Sequence, residues 1–255
     1  ATSLGAPARV ASVVGLRQDT RISQFVELCE GASVVVLTAS DDHVELAEAA
    51  LKAGTHVVSA SDDIDTVTQL LDLDSVARDS GRYLVVGAGF APGLTCLLTK
   101  HASGQLDVVD EIHIAKFGTG GPMCARQHHK ALRSDGVEWR NQQLERRRGG
   151  TGRQLCWFPD PVGGSDCYFG ALPAPLLLLP AFPGAVRISS RVSATRRDMS
   201  TKWLPMLRNP HPEGMLGAVR VEVRGWSDVV RNSVILGALD RPAVAAGTTA
   251  AIAAL

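Results

Sequence analysis

The 255-residue sequence lacks several features that mark specialised classes of protein. It has no excess charge, because 26 lysines and arginines balance 26 aspartates and glutamates, so no electrostatic case for a nucleic-acid or membrane partner follows. Its apolar runs, such as residues 176–179, are too short to cross a bilayer. The five cysteines include no close C-x-x-C pair, which predicts reduced thiols in a cytoplasmic protein and no metal site.

The first part of the chain alternates short apolar runs with stretches of helical periodicity. Residues 34–37 form a continuous apolar run of the kind found in parallel strands that are buried on both faces. Further strand patterns occupy residues 10–14 and 56–58, and helical patterns occupy residues 44–52 and 64–80. This order predicts an α/β fold with a parallel sheet and right-handed crossovers.

The segment YLVVGAGFAPGLTCLL, residues 83–98, interrupts this pattern with glycine. An apolar run ends at Gly87, Gly89 and Gly93, with Pro92 between them, and leucines then resume at helical spacing. Glycine lets a ligand approach the backbone closely, and ligands of open α/β sheets bind beyond the carboxyl ends of the strands. A plain strand-to-helix connection without a ligand is the alternative.

Small and polar residues follow three of the predicted parallel strands. Since the carboxyl ends of parallel strands meet at one edge of a sheet, these residues predict a ligand-binding crevice. The crevice residues are Thr38, Ala39, Ser40, Ser59, Ala60, Ser61, Gly87, Ala88, Gly89, Phe90 and Pro92. His43, near the start of a predicted helix, is interpreted as a capping or surface residue.

From about residue 108 the pattern changes to alternating strands joined by turns. The alternating segments are residues 111–115, 186–194, 218–224 and 229–236, and the last two form a hairpin. Such strands predict an antiparallel or mixed α+β sheet. The alanine-rich residues 241–255, with Pro242 near the start, predict a closing helix. This helix is apolar on most faces and is therefore expected to be buried.

A glycine-rich turn at residues 118–122 leads into a polar helix at residues 123–134. The helix carries Arg126, His128, His129 and Lys130. Histidine serves as a general acid or base near neutral pH, and arginine binds carboxylates in a bidentate manner. Arg126, His128 and His129 are therefore the catalytic candidates, and a solvated basic helix face is the alternative.

Two parts of the sequence resemble a known family. SVVVLTA and HVELAEAALKAGTHVV, within residues 33–58, resemble the second half of the NAD(P)-binding domain of saccharopine dehydrogenase-like proteins and the same section of the glucose-fructose oxidoreductase type. GAGFAPGL at residues 87–94 resembles the saccharopine dehydrogenase-like group more specifically.

The resemblance implies two domains and a nicotinamide cofactor. Residues 1–102 and 239–255 would form a Rossmann-like dinucleotide-binding domain. Residues 103–238 would form an inserted α+β domain for substrate binding or homodimer formation. The crevice residues would line the ribose and nicotinamide of NADP or NAD.

The sequence departs from the family pattern at its amino end. No G-x-G-x-x-G turn, which would hold the pyrophosphate at a helix N-terminus, precedes residue 10. The chain thus resembles a truncated member whose sheet lacks the first strand-helix-strand unit. We expect weak or no NAD(P) binding, and an exposed apolar edge beside residues 34–37 unless residues 10–14 pair there.

The function implied by the resemblance is NAD(P)-dependent hydride transfer to or from a small amino-acid-like or imine substrate. One alternative is a sugar oxidoreductase of the glucose-fructose oxidoreductase type. That type usually carries Glu-Lys-Pro where this chain has Ser59-Ala60-Ser61. Another alternative is a non-catalytic binding or scaffold protein derived from the fold.

Overall fold

The structure is a computed structural model that describes residues 22–38, 42–204 and 214–255. The strand expected at residues 10–14 and the predicted crevice residues Ala39 and Ser40 lie outside these ranges. Across the described part of the chain, no helix is long and apolar enough to cross a membrane.

A three-stranded parallel sheet with helices forms the first part of the fold. Its elements are α1 (Ile22–Cys29), β1 (Val34–Leu37), α2 (His43–Lys52), β2 (His56–Ser59), α3 (Ile64–Leu71), α4 (Asp74–Asp79) and β3 (Leu84–Val86). The strands pair in the order β1–β2–β3, all in parallel. The predicted parallel sheet is thereby confirmed.

One face of this sheet packs against the helices that alternate with its strands. Phe25 of α1 and Leu51 of α2 pack with Val57 of β2 and Leu70 of α3 in a single apolar cluster. Burying such side chains is the main favourable term in folding, at about 25 cal/mol per Å² of apolar surface. The cluster fixes the positions of the strands, and with them the loops that leave their carboxyl ends.

Two expectations about this part are wrong in detail. Val36 of β1 is 37% exposed, so β1 is not buried on both faces. Within the described ranges β1 pairs with β2. Residues 10–14 lie outside those ranges, so the expectation of an unpaired edge stays a prediction. The single helix predicted over residues 64–80 is two helices, α3 and α4, that meet at Asp72 and Leu73. Asp74 is the first residue of α4, and a carboxylate at the N-terminal end stabilises a helix.

A larger mixed sheet forms the second part. Its elements are α5 (Leu94–Ser103), β4 (Val108–Phe117), α6 (Pro122–Arg133), β5 (Gly136–Arg140), β6 (Gln143–Arg147), β7 (Gln154–Trp157), β8 (Gly164–Phe169), α7 (Ala174–Leu178), β9 (Arg187–Ser193), α8 (Arg196–Thr201), β10 (Gly217–Ser227), β11 (Val230–Asp240) and α9 (Pro242–Ala253). The order is β11–β10–β4–β9–β5–β6, and β7 and β8 extend it beside β9.

The pairing within this sheet is antiparallel except between β4 and β9. The predicted fold class, a Rossmann-like parallel sheet combined with a mixed α+β sheet, is confirmed. The hairpin expected near residues 218–236 is β10 and β11.

The two faces of the mixed sheet differ in chemistry. One face is apolar and packs Ile112, Ile188 and Val221 against α5 and α7. On the other face, Glu138 is fully buried and binds Arg147 and Arg187. This division follows from the alternation of side chains along each strand.

The closing helix α9 returns from the second sheet to the first. Ala250 of α9 packs with Val58 and Ala88 at the first sheet. However, Val244 and Ile252 are more than half exposed, so the expectation that the helix is buried on most faces is wrong. Alanine provides little surface to bury, and only one side of α9 meets the sheet.

Candidate functional site

The loops that follow β2 and β3 come together at the carboxyl edge of the parallel sheet. Ala88 N–H donates to the Ser59 carbonyl at 2.8 Å. A Cβ added to Gly89 would lie 3.1 Å from the Ala60 carbonyl oxygen, a tight contact that shows how closely the two backbones approach. The structure thus brings Ser59, Ala60, Ala88 and Gly89 together, as the sequence predicts.

The loop after β1 is described only in part. Thr38 is exposed at the end of β1, and Ala60 N–H donates to the Leu37 carbonyl at 3.0 Å. This bond connects the first strand end to the other two. All three predicted strand ends therefore lie along one edge.

The glycine-rich loop after β3 forms hydrogen bonds within itself. Gly89 N–H donates to the Pro92 carbonyl at 3.0 Å, and Leu94 N–H donates to the Gly89 carbonyl at 2.9 Å. The following helix begins at Leu94, two residues later than Pro92, where the sequence suggested a first turn. Phe90 is buried against Val219 of β10 in an apolar cluster, and so it connects the loop to the second sheet.

His43 is buried, and its interpretation as a surface residue is wrong. It is 2% exposed at the start of α2, and its Nδ1 lies 2.8 Å from Ser59 Oγ. Ser59 Oγ also accepts a hydrogen bond from Ser61 N–H at 3.3 Å. The histidine therefore helps to fix the loop after β2, which carries three of the crevice residues.

Lys116, at the end of β4, reaches this edge from the second sheet. Its Nζ donates to Asp62 Oδ2 at 3.1 Å, and its side chain is only 9% exposed. Asp62 belongs to the loop after β2, so this ion pair joins the two sheets. A buried charge of this kind is stable only when it is paired.

Helix α6 contacts the same loop through Asp63. Asp63 accepts hydrogen bonds from Gln127 at 2.9 Å and from Lys130, and it also caps α3 by accepting from Thr66 N–H at 3.0 Å. Burial alone would raise the pKa of Asp63, but the bonds from Lys130, Thr66 and Gln127 outweigh it and lower that pKa to about 2. The predicted polar helix is therefore anchored on the crevice loop.

The catalytic candidates on α6 occupy different environments. Arg126 is exposed, and its Nη1 donates to Met123 Sδ at 3.0 Å. His128 is 8% exposed. Burial, followed by the nearby charge of Lys116, lowers the pKa of His128 to about 3, so its imidazole is neutral at physiological pH. His129 is half-buried, and its Nδ1 has no hydrogen-bond partner among the described residues. Their roles in catalysis stay predictions.

Sequence reasoning missed the ion pair between Lys116 and Asp62 and the role of Asp63. A signal for Lys116 was present, because it follows Ile112 and Ile114 at alternate positions on the apolar face of β4. A lysine on the inward side of a strand requires a buried partner. The partner itself, 54 residues away in sequence, leaves no local signal.

Two surface cavities lie away from this edge. One of about 470 Å³ runs beside α4 and β3 and is lined by Leu71, Arg82 and Tyr83 among others. Another of about 440 Å³ lies at the amino ends of the strands, beside Ser33 and His56. Parallel sheets bind ligands at the opposite edge, so we do not assign the site to either cavity.

Comparison with known proteins gives similarity at the level of the fold. No protein-family model matches the chain, and no curated protein does. Among solved structures, the chain is similar to the apo saccharopine dehydrogenase (L-Glu forming) of Saccharomyces cerevisiae. The TM-score is 0.60 at 13% identity, and the match covers 91% of this chain and 77% of that one.

Two further matches have TM-scores below 0.5. A DAP dehydrogenase from C. glutamicum in complex with DAP matches at 0.47 with 13% identity, over 94% of this chain and 75% of that one. An engineered D-amino acid dehydrogenase bound to NADP+ matches at 0.47 with 13% identity, over 93% of this chain and 76% of that one. The fold is supported by the similarity to saccharopine dehydrogenase, whose TM-score is 0.60.

Proposed function

We propose that the protein is an NAD(P)-dependent oxidoreductase that transfers hydride to or from a small amino-acid-like or imine substrate. The observation that carries the proposal is the meeting of two sets of residues at one edge. The loops after β2 and β3 come from the parallel sheet, and Lys116 and α6 come from the mixed sheet. In α/β folds this edge is where ligands bind.

The residues at this edge suit the nicotinamide and ribose end of a cofactor. Ala60 and Ser61 have small side chains that leave room for a flat ring, and Thr38 is exposed, with a hydroxyl that can bind a ribose. NADP or NAD would supply the hydride.

The chain's own residues would position the substrate and handle a proton. Lys116 places a buried ammonium group at the edge, and His129 has a ring nitrogen that is free to bond within the described residues. Reduction of an imine or carbonyl requires a proton donor beside the hydride path. His128 is neutral at pH 7, so within this proposal it acts as a hydrogen-bonding group and His129 is the candidate for proton transfer.

The cofactor assignment is tested by saturation-transfer NMR with NADPH and NADH, a method suited to weak binding. The nicotinamide protons should receive saturation from the protein, because the crevice residues suit the nicotinamide end of the cofactor. Ala60→Leu fills the crevice and should abolish this transfer. Ala53→Leu is the matched control, since Ala53 is exposed at the other edge of the sheet. No transfer to the nicotinamide protons, or transfer that Ala60→Leu leaves unchanged, would contradict the proposal.

A binding protein without catalytic activity is the second candidate, because the same fold also occurs without catalysis. It predicts ligand binding at the same edge without turnover. An assay of NADPH oxidation with a panel of 2-oxo acids and amines separates the binding protein from the oxidoreductase. The absorbance of the reduced nicotinamide reports the oxidation. Substrate-dependent oxidation that is lost in Lys116→Met supports the oxidoreductase.

A further inference from the structure

The ammonium group of Lys116 has more hydrogen-bonding capacity than the protein uses. A lysine ammonium carries three N–H donors. Within residues 22–38, 42–204 and 214–255, Asp62 is the one side chain that accepts a hydrogen bond from it. The Lys116 side chain is 9% exposed and that of Asp62 is 29% exposed, so water reaches this pair mainly from the Asp62 side.

Ser190 of β9 adds a second unused group. Its Oγ has no hydrogen-bond partner in the described structure, although the residue is 2% exposed. In the parallel pair of β4 and β9, Ile114 lies opposite Ser190 and Lys116 lies opposite Val192. Side chains two residues apart share a face of the sheet, so Lys116 and Ser190 are diagonal neighbours on the same face.

His128 of α6 adds an acceptor. Its Nδ1 is buried without a partner among the described residues, while the ring bonds to the backbone of Ser193. The ring therefore carries its proton on Nε2 and presents the lone pair of Nδ1. Lys116 lies near enough for its charge to act on this ring. Unsatisfied buried polar groups cost about 1–3 kcal/mol each, and two of them close to the Lys116 ammonium group indicate a ligand.

We propose that the carboxyl ends of β4 and β9 form a binding site for a small amino or hydroxy acid, in which Lys116 and Ser190 donate to the carboxylate. The ligand's amino or hydroxyl group donates to His128 Nδ1. This inference rests on the proposed function where the acid is taken to be the substrate. Asp62 competes with the ligand carboxylate for the same ammonium group.

This competition gives the proposal a distinctive signature. Lys116→Met should weaken binding of the acid at least tenfold. Asp62→Asn should strengthen it severalfold, because the ammonium loses its internal partner. If the Lys116–Asp62 pair had a purely structural role, both changes would lower the melting temperature and neither would alter affinity. The sign of the Asp62→Asn effect therefore decides between the two.

Ser190→Ala offers an independent test in which stability and binding move in opposite directions. The change removes a buried hydroxyl that has no partner, so the melting temperature should rise. The same change removes a donor to the carboxylate, so affinity should fall. If Ser190 had only a packing role, Ser190→Ala would raise the melting temperature without lowering the affinity.

The experiment uses L-alanine and L-lactate as probes in saturation-transfer NMR titrations of the whole protein, with L-alaninamide as the counterpart that lacks the carboxylate. Lys52→Met is the control, since Lys52 also binds a carboxylate, that of Glu48, but is 64% exposed on α2, away from this edge. The control should bind both acids as the wild type does. Equal binding of L-alanine and L-alaninamide, or affinities unchanged by Lys116→Met, would overturn the proposal.

NADPH contact measured in the same samples separates this inference from the proposed function. If the acids bind with the expected variant effects but NADPH shows no nicotinamide contact, the acid site is supported and the oxidoreductase proposal is contradicted. If NADPH shows nicotinamide contact but acid binding does not depend on the carboxylate, the acid site is contradicted and the oxidoreductase proposal is supported.

Discussion

Glu138 of β5 is a fully buried carboxylate whose charge is balanced by two arginines. Arg147 Nε lies 2.5 Å from one of its oxygens, and Arg187 Nε lies 2.6 Å from the other. Burial alone would raise the pKa of Glu138, but the two arginines outweigh it and lower that pKa. Its partners lie on β6 and β9, so the carboxylate cross-links three strands.

Removal of this carboxylate should destabilise the protein strongly. Glu138→Ala leaves two arginines without their partner, which we expect to cost about 3 kcal/mol of unfolding free energy, measured by urea denaturation. Glu145→Ala is the control. Glu145 also binds Arg147 but is 26% exposed, so its loss should cost at most about 1 kcal/mol. Equal effects of the two variants would show that burial of the ion pair is unimportant here.

At the scale of elements, two glycines should respond to alanine in opposite ways. A Cβ at Gly225 would lie 1.8 Å from the Val108 carbonyl oxygen, where the β4–β10 pairing shifts register. Gly225→Ala should therefore cost about 2 kcal/mol or more. Gly247 lies inside α9 with no atom within 4 Å of an added Cβ, so Gly247→Ala should stabilise by about 0.5–1 kcal/mol. Thermal unfolding of both variants measures this contrast, and a destabilising Gly247→Ala would argue against α9 as a helix.

Elements with a strong local pattern could be predicted from the sequence, and those that depend on distant partners could not. The apolar runs of β1 and β2 and the alternation of β10 and β11 specify strands because their side-chain spacing is local. The division between α3 and α4, at Asp72 and Leu73, carries no glycine or proline to announce it.

The candidate site shows the same limit. The strand ends could be predicted because parallel strands end at a common edge. The burial of His128 could not, because it follows from α6 packing beside β9, and the sequence of the helix is polar. The same packing places Gln127 and Lys130 on Asp63.

At the scale of the whole molecule, lowering the pH should reduce the free energy of unfolding in two stages. The pKa of His128 is about 3 in the folded state, compared with an ordinary value of 6.5. The unfolded chain therefore takes up the proton first, and stability falls as the pH drops from 6.5 towards 3, by about 2 kcal/mol at pH 5. Asp63 has a folded pKa of about 2 and an ordinary value of 3.8, so its contribution is present above pH 3.8 and is lost as the pH falls towards 2.

Unfolding by urea at a series of pH values checks both stages. His128→Gln should flatten the stage between pH 6.5 and 3, and Asp63→Asn should flatten only the stage below pH 3.8. A wild type whose stability is constant from pH 7 to 4 would contradict the buried, neutral state of His128.

The polypeptide passes between its two sheets twice, once after β3 on the way to α5 and again from β11 into α9. Two tethers hold the halves at a high effective concentration, so the Lys116–Asp62 contact forms within one molecule and pays no cost of association. A protease that cuts one of the two connections would leave the other intact. The two halves of such a nicked protein would stay covalently linked, and its unfolding would still be independent of protein concentration.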